Sequence, residues 1–198
     1  MPSFAIREAT PDDLDAVVAF NAAMATETEN LTLDMTVLRP GVKAVLAAQA
    51  LCRDDPSADP QDARGRYWVA VGSSGVAVAC LMITHEWSDW RNASRELGVA
   101  EETPRRQHAP PRAPTAPRPP CPYSPQGWCW WIQSVYVEPS SRRQGLFTAL
   151  YRHVEEEAKR AKAAGLRLYV DRANERAVAT YRRMGMTSHY DLYENMFA

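Results

Sequence analysis

The chain has 198 residues, of which 45% are hydrophobic and 24% are charged, and this composition suits one globular domain. The formal net charge is −1, so no global positive field favours a nucleic acid or an anionic membrane, and neither partner is expected. The four cysteines form no Cys-x-x-Cys pair and have no histidine at ligand spacing, which indicates reduced thiols and no metal site. The N-terminus lacks the apolar stretch of a signal peptide. We therefore expect a cytoplasmic or nuclear protein, or an organellar one after removal of a transit peptide.

The first fifty residues predict one strand and two helices. Alternation predicts a strand over Phe4–Glu8, and Thr10-Pro11-Asp12-Asp13 then has the hydroxyl cap, early proline and acidic residue of a helix start. A second helix is predicted over Asp34–Ala50. Pro40-Gly41 in its middle indicates either a kink or a start near Arg39.

A hairpin and a long insert follow. After a polar loop over Asp54–Gly65, strands are predicted over Tyr67–Val71 and Val76–Thr84, joined by a Gly-Ser-Ser-Gly turn. Hydrophobic periodicity disappears over residues 92–127, where Pro, Arg and Ala dominate; nine of the fifteen prolines of the chain lie between Pro104 and Pro125. This composition predicts a disordered insert, and its Pro-x-x-Pro spacings leave a polyproline-binding partner as the less favoured alternative.

Aromatic and branched residues predict a strand over Trp128–Val137, which is followed by a helix that extends to about Ala164 and ends at Gly165. One face of this helix carries an apolar stripe at four-residue spacing, formed by Leu146, Leu150, Val154 and Ala158. Alternation then predicts a strand over Leu166–Val170. Asn174 opens a short helix that Gly185 ends, and Met186–Phe197 predicts the closing strand or strands. This order of elements predicts a mixed α/β fold.

The segment Arg142-Arg-Gln-Gly145, which connects a predicted strand to a predicted helix, favours anion binding. Such a basic turn aims backbone N–H groups and the positive end of a helix dipole at one place, and this arrangement suits a pyrophosphate. The glycine signatures of P-loop and dinucleotide sites are absent from the sequence. Taken alone, a basic turn is more often a solvated helix cap.

Two motifs together resemble the acetyl-coenzyme A core of the GNAT N-acetyltransferases. They are Val135-Tyr-Val137 with the turn that continues to Phe147, and the later pattern Asn174-x-x-Ala177-x-x-x-Tyr181-x-x-x-Gly185-Met186. In element order the resemblance covers nearly the whole chain. It implies a twisted, mostly antiparallel sheet of six to seven strands flanked by about four helices, a single domain over residues 1–198, and acetyl-CoA as co-substrate.

The resemblance also implies roles for individual residues. Backbone groups of Val135, Tyr136 and Val137 pair with the pantetheine arm, and an N–H near Val135 or Tyr136 stabilises the oxyanion. The pyrophosphate site comprises the turn and the helix start, namely Arg142, Arg143, Gln144, Gly145, Phe147 and Thr148. Phe147 stands where the family has glycine or alanine.

Tyr181 is implied to be the general acid that protonates the departing thiolate, and the alternative is a packed tyrosine. Asn174 lies seven residues before Tyr181, so the two residues fall on the same face of the predicted helix. Asn174 is implied to contact the cofactor, while a plain helix N-cap is an equally good interpretation.

The acceptor is a primary amine whose identity the sequence leaves open. Carboxylates and tryptophans could hold a cationic amine by ion pairs and cation–π contacts, and the candidates are Glu27, Glu29, Glu86, Trp87 and Trp90. Core packing of the tryptophans is the alternative. Gln133 and Ser134 stand where polyamine-type members carry an acid, and neither side chain is a useful base, so this role falls to water, Glu86 or Glu27.

Two functions therefore follow from the sequence. The first is transfer of an acetyl group from acetyl-CoA to a small amine, an amino acid or a lysine side chain, by direct attack in a ternary complex. The alternative is a non-catalytic GNAT-fold protein that binds coenzyme A or acts as a scaffold through the insert at residues 92–127. A homodimer is compatible with both.

Overall fold

The computed structural model describes residues 4–54, 65–87, 128–188 and 195. Within them lie five strands and four helices: β1 (Phe4–Glu8), α1 (Leu14–Glu29), α2 (Met35–Asp54), β2 (Gly65–Gly72), β3 (Ala77–Trp87), β4 (Trp128–Val137), α3 (Leu146–Arg160), β5 (Leu166–Leu168) and α4 (Glu175–Arg183). The polar loop predicted after Asp54, the insert at 92–127, Trp90 and most of the predicted closing strand lie outside the described residues.

The strands form one sheet in the order β1-β2-β3-β4-β5, and the first four pair antiparallel with their neighbours. Val69 pairs with Cys80, and Cys80 pairs in turn with Tyr136, so these three residues form one row across the sheet. The predicted mixed α/β, mostly antiparallel fold is confirmed. The described residues contain five strands, fewer than the six to seven expected.

Each face of the sheet packs against different helices, because alternate residues of a strand point to opposite sides. One face packs on α1 and α2, in a cluster that includes Val17, Phe20, Val42, Leu46, Val69 and Tyr136. The other face carries Trp68 and Trp130, whose ring centroids are 5.9 Å apart, and α3 contacts this part of the sheet. The predicted apolar stripe of α3 is buried at all four positions.

Two helices end at residues other than those predicted: α2 extends to Asp54 and not to Ala50, and α3 is shorter than expected. The helix α2 begins at Met35, where the Asp34 carboxylate accepts a hydrogen bond from the Thr36 N–H at 2.8 Å, so the alternative start near Arg39 is wrong and Pro40 lies inside the helix. The helix α3 ends at Arg160 and does not reach Ala164, because Lys162 adopts a left-handed conformation with φ 56°. Lys162, and not Gly165, therefore breaks the helix.

The chain divides into two compact units, Met1–Arg167 and Leu168–Ala198. The first contains β1 to β4 and the helices α1 to α3, while α4 lies in the second. The two units carry different candidate residues: Glu27 and Arg142 lie in the first, and Asn174 and Tyr181 lie in the second.

Candidate functional site

One edge of β4 presents backbone polar groups beyond the short neighbouring strand. The Glu138 N–H donates to the Val78 carbonyl at 2.9 Å, so the N–H groups at this end of β4 alternate between β3 and the opposite edge. Val135 and Val137 therefore direct their N–H groups away from β3. Since β5 has three residues and β4 has ten, β5 covers only part of that edge.

A β-bulge interrupts β4 next to this edge. Met82 pairs with Ser134 and Ile83 pairs with Ile132, so Gln133 is an extra residue that bends the strand. Bulges are common beside active sites because they redirect the groups that follow them. The alternating pattern of β4 contains no sign of this bulge, and sequence reasoning missed it.

Ser134 is a buried polar residue at the bulge. Its side chain is 7% exposed, and its Oγ has no hydrogen-bond partner among the described residues. Leaving a buried hydroxyl without a partner costs about 1–3 kcal/mol, so such groups call for an explanation. Gln133 differs, because its side-chain amide donates to the Thr84 hydroxyl at 2.7 Å. Neither side chain is a carboxylate, and β4 therefore supplies no strong base at this point.

The turn from Arg142 to Gly145 contains two residues with left-handed backbones. Arg143 has φ 65° and Gly145 has φ 81°. A Cβ at Gly145 would meet nothing within 4 Å, so glycine is required there by its backbone conformation and not by lack of space. For Arg143 the left-handed conformation costs about 1–2 kcal/mol, and strain of this kind clusters at functional sites.

Gly145 is also the N-cap of α3. The first N–H groups of a helix have no carbonyl within the helix to bond, and Leu146, Phe147 and Thr148 occupy these positions. The two left-handed residues lie directly before these donors, at the positive end of the α3 dipole, and left-handed residues are typical of the backbone turns whose N–H groups bind anions. This is the arrangement that binds phosphate groups.

The Arg142 side chain is held by groups from two other parts of the chain. Its Nε donates to the Val137 carbonyl at 2.8 Å, and one terminal nitrogen contacts a Glu27 carboxylate oxygen at 2.6 Å. Its guanidinium carbon lies 5.4 Å from the centre of the Tyr136 ring, and the Tyr136 hydroxyl donates to Glu27 at 2.7 Å. The three side chains form one connected cluster, which we call the Glu27 cluster.

The carboxylate of the Glu27 cluster is a weak proton acceptor. The hydrogen bonds from Tyr136 and then Arg142 lower the pKa of Glu27. Sequence reasoning named Glu27 as an acceptor-binding residue and as a fallback base. Its contact with Arg142, 115 positions away along the chain, could not be inferred from local pattern.

The remaining acceptor candidates have separate surroundings. Glu86 is exposed, accepts a hydrogen bond from the Trp131 indole N–H and lies 3.6 Å from an Arg167 nitrogen. The Arg167 guanidinium also lies 5.5 Å from the Trp131 ring centre. Glu29 is exposed at the end of α1. The side chain of Trp87, like all of Trp90, lies outside the described residues.

Phe147, which replaces the small residue of the family pattern, lies on the first turn of α3 and is half-buried. Its ring centroid is 6.2 Å from that of Tyr151, one helical turn further on. The aromatic ring therefore packs at least partly along α3 itself.

In the second unit, the ends of α4 are capped as the sequence predicts. The Asn174 side chain accepts a hydrogen bond from the Ala177 N–H at 3.1 Å, which is an N-cap. At the other end, Gly185 has φ 90° and its N–H bonds to the Arg182 carbonyl at 3.0 Å, while the Met186 N–H bonds to the Tyr181 carbonyl at 3.1 Å. These paired bonds form a Schellman motif around the turn that carries Tyr181.

Asn174 and Tyr181 lie on the less exposed face of α4, as their seven-residue spacing predicts. Burial raises the pKa of the Tyr181 phenol above its ordinary value of 10.0. The phenol is therefore protonated at neutral pH and able to donate a proton or a hydrogen bond.

Among the described residues, no group of three or more His, Cys, Asp or Glu side chains could hold a metal ion. In the same parts of the chain, no helix is both long and apolar enough to cross a membrane.

Comparison with known proteins identifies an acetyltransferase relationship. The model of the acetyltransferase (GNAT) family matches residues 44–186. A possible acetyltransferase from Clostridium difficile 630 is 33% identical, with a TM-score of 0.68 over 99% of each chain.

Two more distant structures share the fold. A ribosomal-protein-alanine N-acetyltransferase from Brucella melitensis biovar Abortus 2308 is 13% identical, with a TM-score of 0.60 over 98% of this chain and 100% of that one. An acetyltransferase from Trypanosoma brucei is 16% identical, with a TM-score of 0.58 over the same shares. No curated protein sequence matches significantly.

Proposed function

This chain belongs to the acetyltransferase (GNAT) family, whose co-substrate is acetyl-CoA, and on that premise we propose that it acetylates a primary amine by direct attack in a ternary complex. The acceptor class is a small amine, an amino acid or a lysine side chain. The observation that carries the proposal is the Arg142–Gly145 turn, where two left-handed residues lead from β4 into the N-terminus of α3.

The pyrophosphate of acetyl-CoA binds at this turn. The donors are the N–H groups from Arg143 to Thr148 together with the positive end of the α3 dipole, supported by the Arg142 and Arg143 charges. A phosphate oxygen accepts several hydrogen bonds at once, so converging N–H groups bind it better than scattered ones. The left-handed residues supply that convergence.

The pantetheine arm extends, as an additional strand, along the part of the β4 edge that β5 leaves uncovered among the described residues. The Val137 carbonyl accepts the Arg142 Nε hydrogen bond, so pairing with pantetheine uses the Val137 N–H and the backbone of Val135. The same alternation favours the Val135 N–H over that of Tyr136 as the donor to the oxyanion, because the Tyr136 N–H points towards β3.

The chemical step needs an acid and a neutral amine. The amine nitrogen attacks the thioester carbonyl, a carbon–nitrogen bond forms, and the carbon–sulfur bond breaks as the tetrahedral intermediate collapses. Tyr181 gives its phenolic proton to the departing thiolate. Burial raises the pKa of this phenol, which keeps it protonated but makes it a weaker acid, so the transfer requires a direct hydrogen bond from the hydroxyl to the sulfur. Asn174 caps the helix that carries it.

Water accepts the proton that the amine loses. Gln133 and Ser134 are not bases at neutral pH, and hydrogen bonds from Tyr136 and Arg142 lower the pKa of Glu27. Glu86 faces the cation of Arg167 and the indole N–H of Trp131. A solvent-mediated route remains the best supported.

The test is a thiol-release assay with a panel of amines, run on the wild type, Tyr181→Phe and, as a matched control, Tyr169→Phe at an exposed tyrosine in the same unit. We expect turnover by the wild type, a loss of about a hundredfold or more in kcat for Tyr181→Phe, and little change for the control. Equal rates for Tyr181→Phe and the wild type would remove Tyr181 from the acid role. Binding of acetyl-CoA without turnover of any amine would favour the non-catalytic coenzyme A-binding alternative.

A further inference from the structure

The Glu27 cluster joins three segments that are distant in sequence. Glu27 lies in the last turn of α1, Tyr136 and Val137 end β4, and Arg142 begins the turn that precedes α3. The Tyr136 ring also stacks on Phe20 of α1, with ring centroids 5.6 Å apart. The end of α1 is therefore connected to the candidate phosphate site by both polar and aromatic contacts.

A contribution to fold stability does not account well for this cluster. The side chains of Arg142 and Glu27 are 32% and 40% exposed, and ion pairs with this exposure add little to stability. A guanidinium has five N–H donors in a rigid plane, and two of them bond to Val137 and Glu27. These bonds, with the Tyr136 ring beneath, fix the orientation of the whole group.

We propose that Glu27 is a positioning residue for acetyl-CoA binding. It holds the Arg142 guanidinium against the carbonyl end of β4, and this contact keeps the Arg142–Gly145 turn in the conformation whose N–H groups converge. The inference rests on the proposed function, since acetyl-CoA is the ligand of that turn. It goes further by assigning a role in the cofactor site to a carboxylate of α1.

The competing explanation predicts a change of opposite sign. If Glu27 acted only through its charge, it would repel the anionic pyrophosphate, and removing the charge would tighten acetyl-CoA binding. If it positions Arg142, removing the charge frees the guanidinium, and binding weakens. The sign of the change therefore distinguishes positioning from simple electrostatics.

The experiment measures the Kd of acetyl-CoA for the wild type, Glu27→Gln and Glu156→Gln by titration calorimetry. Glu156→Gln is the matched control, because it removes the same charge at an exposed position of α3 that has no role in the candidate site. We expect Glu27→Gln to weaken binding about tenfold, the factor of one charge-assisted hydrogen bond, and Glu156→Gln to stay within about twofold of the wild type. Unchanged or tighter binding by Glu27→Gln overturns the inference.

Two further variants keep the inference testable if Glu27→Gln folds poorly. Tyr136→Phe retains the ring and removes one hydrogen bond to Glu27, so it should weaken acetyl-CoA binding by a smaller factor. In the Arg142→Gln background, Glu27→Gln should have no additional effect, because Glu27 acts through Arg142. If Glu27→Gln weakened acetyl-CoA binding by the same factor in the Arg142→Gln background as in the wild type, the positioning role would be overturned.

The failures of the two proposals are distinguishable. A wild-type protein that does not bind acetyl-CoA overturns the proposed function and this inference together. A wild-type protein that binds acetyl-CoA, alongside a Glu27→Gln variant that binds equally well, overturns the inference alone. The unfolding midpoint and the acceptor KM at saturating acetyl-CoA should stay close to wild type in Glu27→Gln, which a general structural defect would not produce.

Discussion

Two glycines offer a paired test of the left-handed turn, because both lie in open space and differ in backbone conformation. A Cβ at Gly145 or at Gly41 would meet nothing within 4 Å. Gly145 has φ 81° in the candidate phosphate turn, whereas Gly41 lies inside the helix α2. Substitution by alanine therefore changes no packing at either position and isolates the effect of backbone conformation.

The expected magnitudes follow from the backbone alone. A Cβ in the left-handed region costs about 1–2 kcal/mol, and the stiffer unfolded chain returns about 0.4–1 kcal/mol of this. Gly145→Ala should therefore lower the free energy of unfolding by roughly 0.5–1 kcal/mol. Gly41→Ala should raise it by up to about 1 kcal/mol, because alanine favours a helix interior over glycine. For a chain of this size, 1 kcal/mol moves Tm by about 2–4 °C.

The assay is thermal and denaturant unfolding of both variants, together with the Kd of acetyl-CoA. We expect Gly145→Ala to be less stable than the wild type and to bind acetyl-CoA more weakly, while Gly41→Ala is more stable and binds normally. Gly145→Asn should be less affected than Gly145→Ala, because asparagine tolerates the left-handed region. If Gly145→Ala matched Gly41→Ala in stability and bound acetyl-CoA like the wild type, the left-handed geometry would not be required.

Three further predictions concern stability. Gln49 is 2% exposed, and its side-chain oxygen accepts a hydrogen bond from the Tyr67 N–H at 2.8 Å. Gln49→Leu should therefore lower the free energy of unfolding, measured with denaturant, by about 1–3 kcal/mol, and a decrease below about 0.5 kcal/mol would contradict this prediction. Burial acts to raise the pKa of Asp13, but hydrogen bonds from Arg7 and Thr10 hold it below its ordinary 3.8. The carboxylate therefore stabilises the fold above about pH 4 and loses this contribution as pH falls further, and Asp13→Asn should flatten the acid limb of a stability–pH profile. Gly185 has φ 90°, so Gly185→Ala should lower the unfolding free energy by roughly 0.5–1 kcal/mol, and unchanged unfolding would argue against the Schellman cap.

Much of the fold was predictable because its signals are local. Alternation located β1, and aromatic and branched residues located β4, each at its observed bounds, while the Gly-Ser-Ser-Gly turn located the hairpin of β2 and β3. The caps of α4 were equally clear from Asn174 and Gly185. The end of α3 was not predictable, because a lysine took the left-handed position for which a glycine was available three residues later.

The sequence by itself determined the family, the order of elements and the turn that favours a phosphate, since each depends on a few neighbouring residues and their backbone preferences. Only the tertiary structure decided that Glu27 contacts Arg142, that the Val137 carbonyl is already bonded, and that Gln133 is a bulge. These features depend on how α1 packs on the sheet and on the register of β3 against β4. Register and packing are set by the summed contacts of many distant residues, so no local motif encodes them.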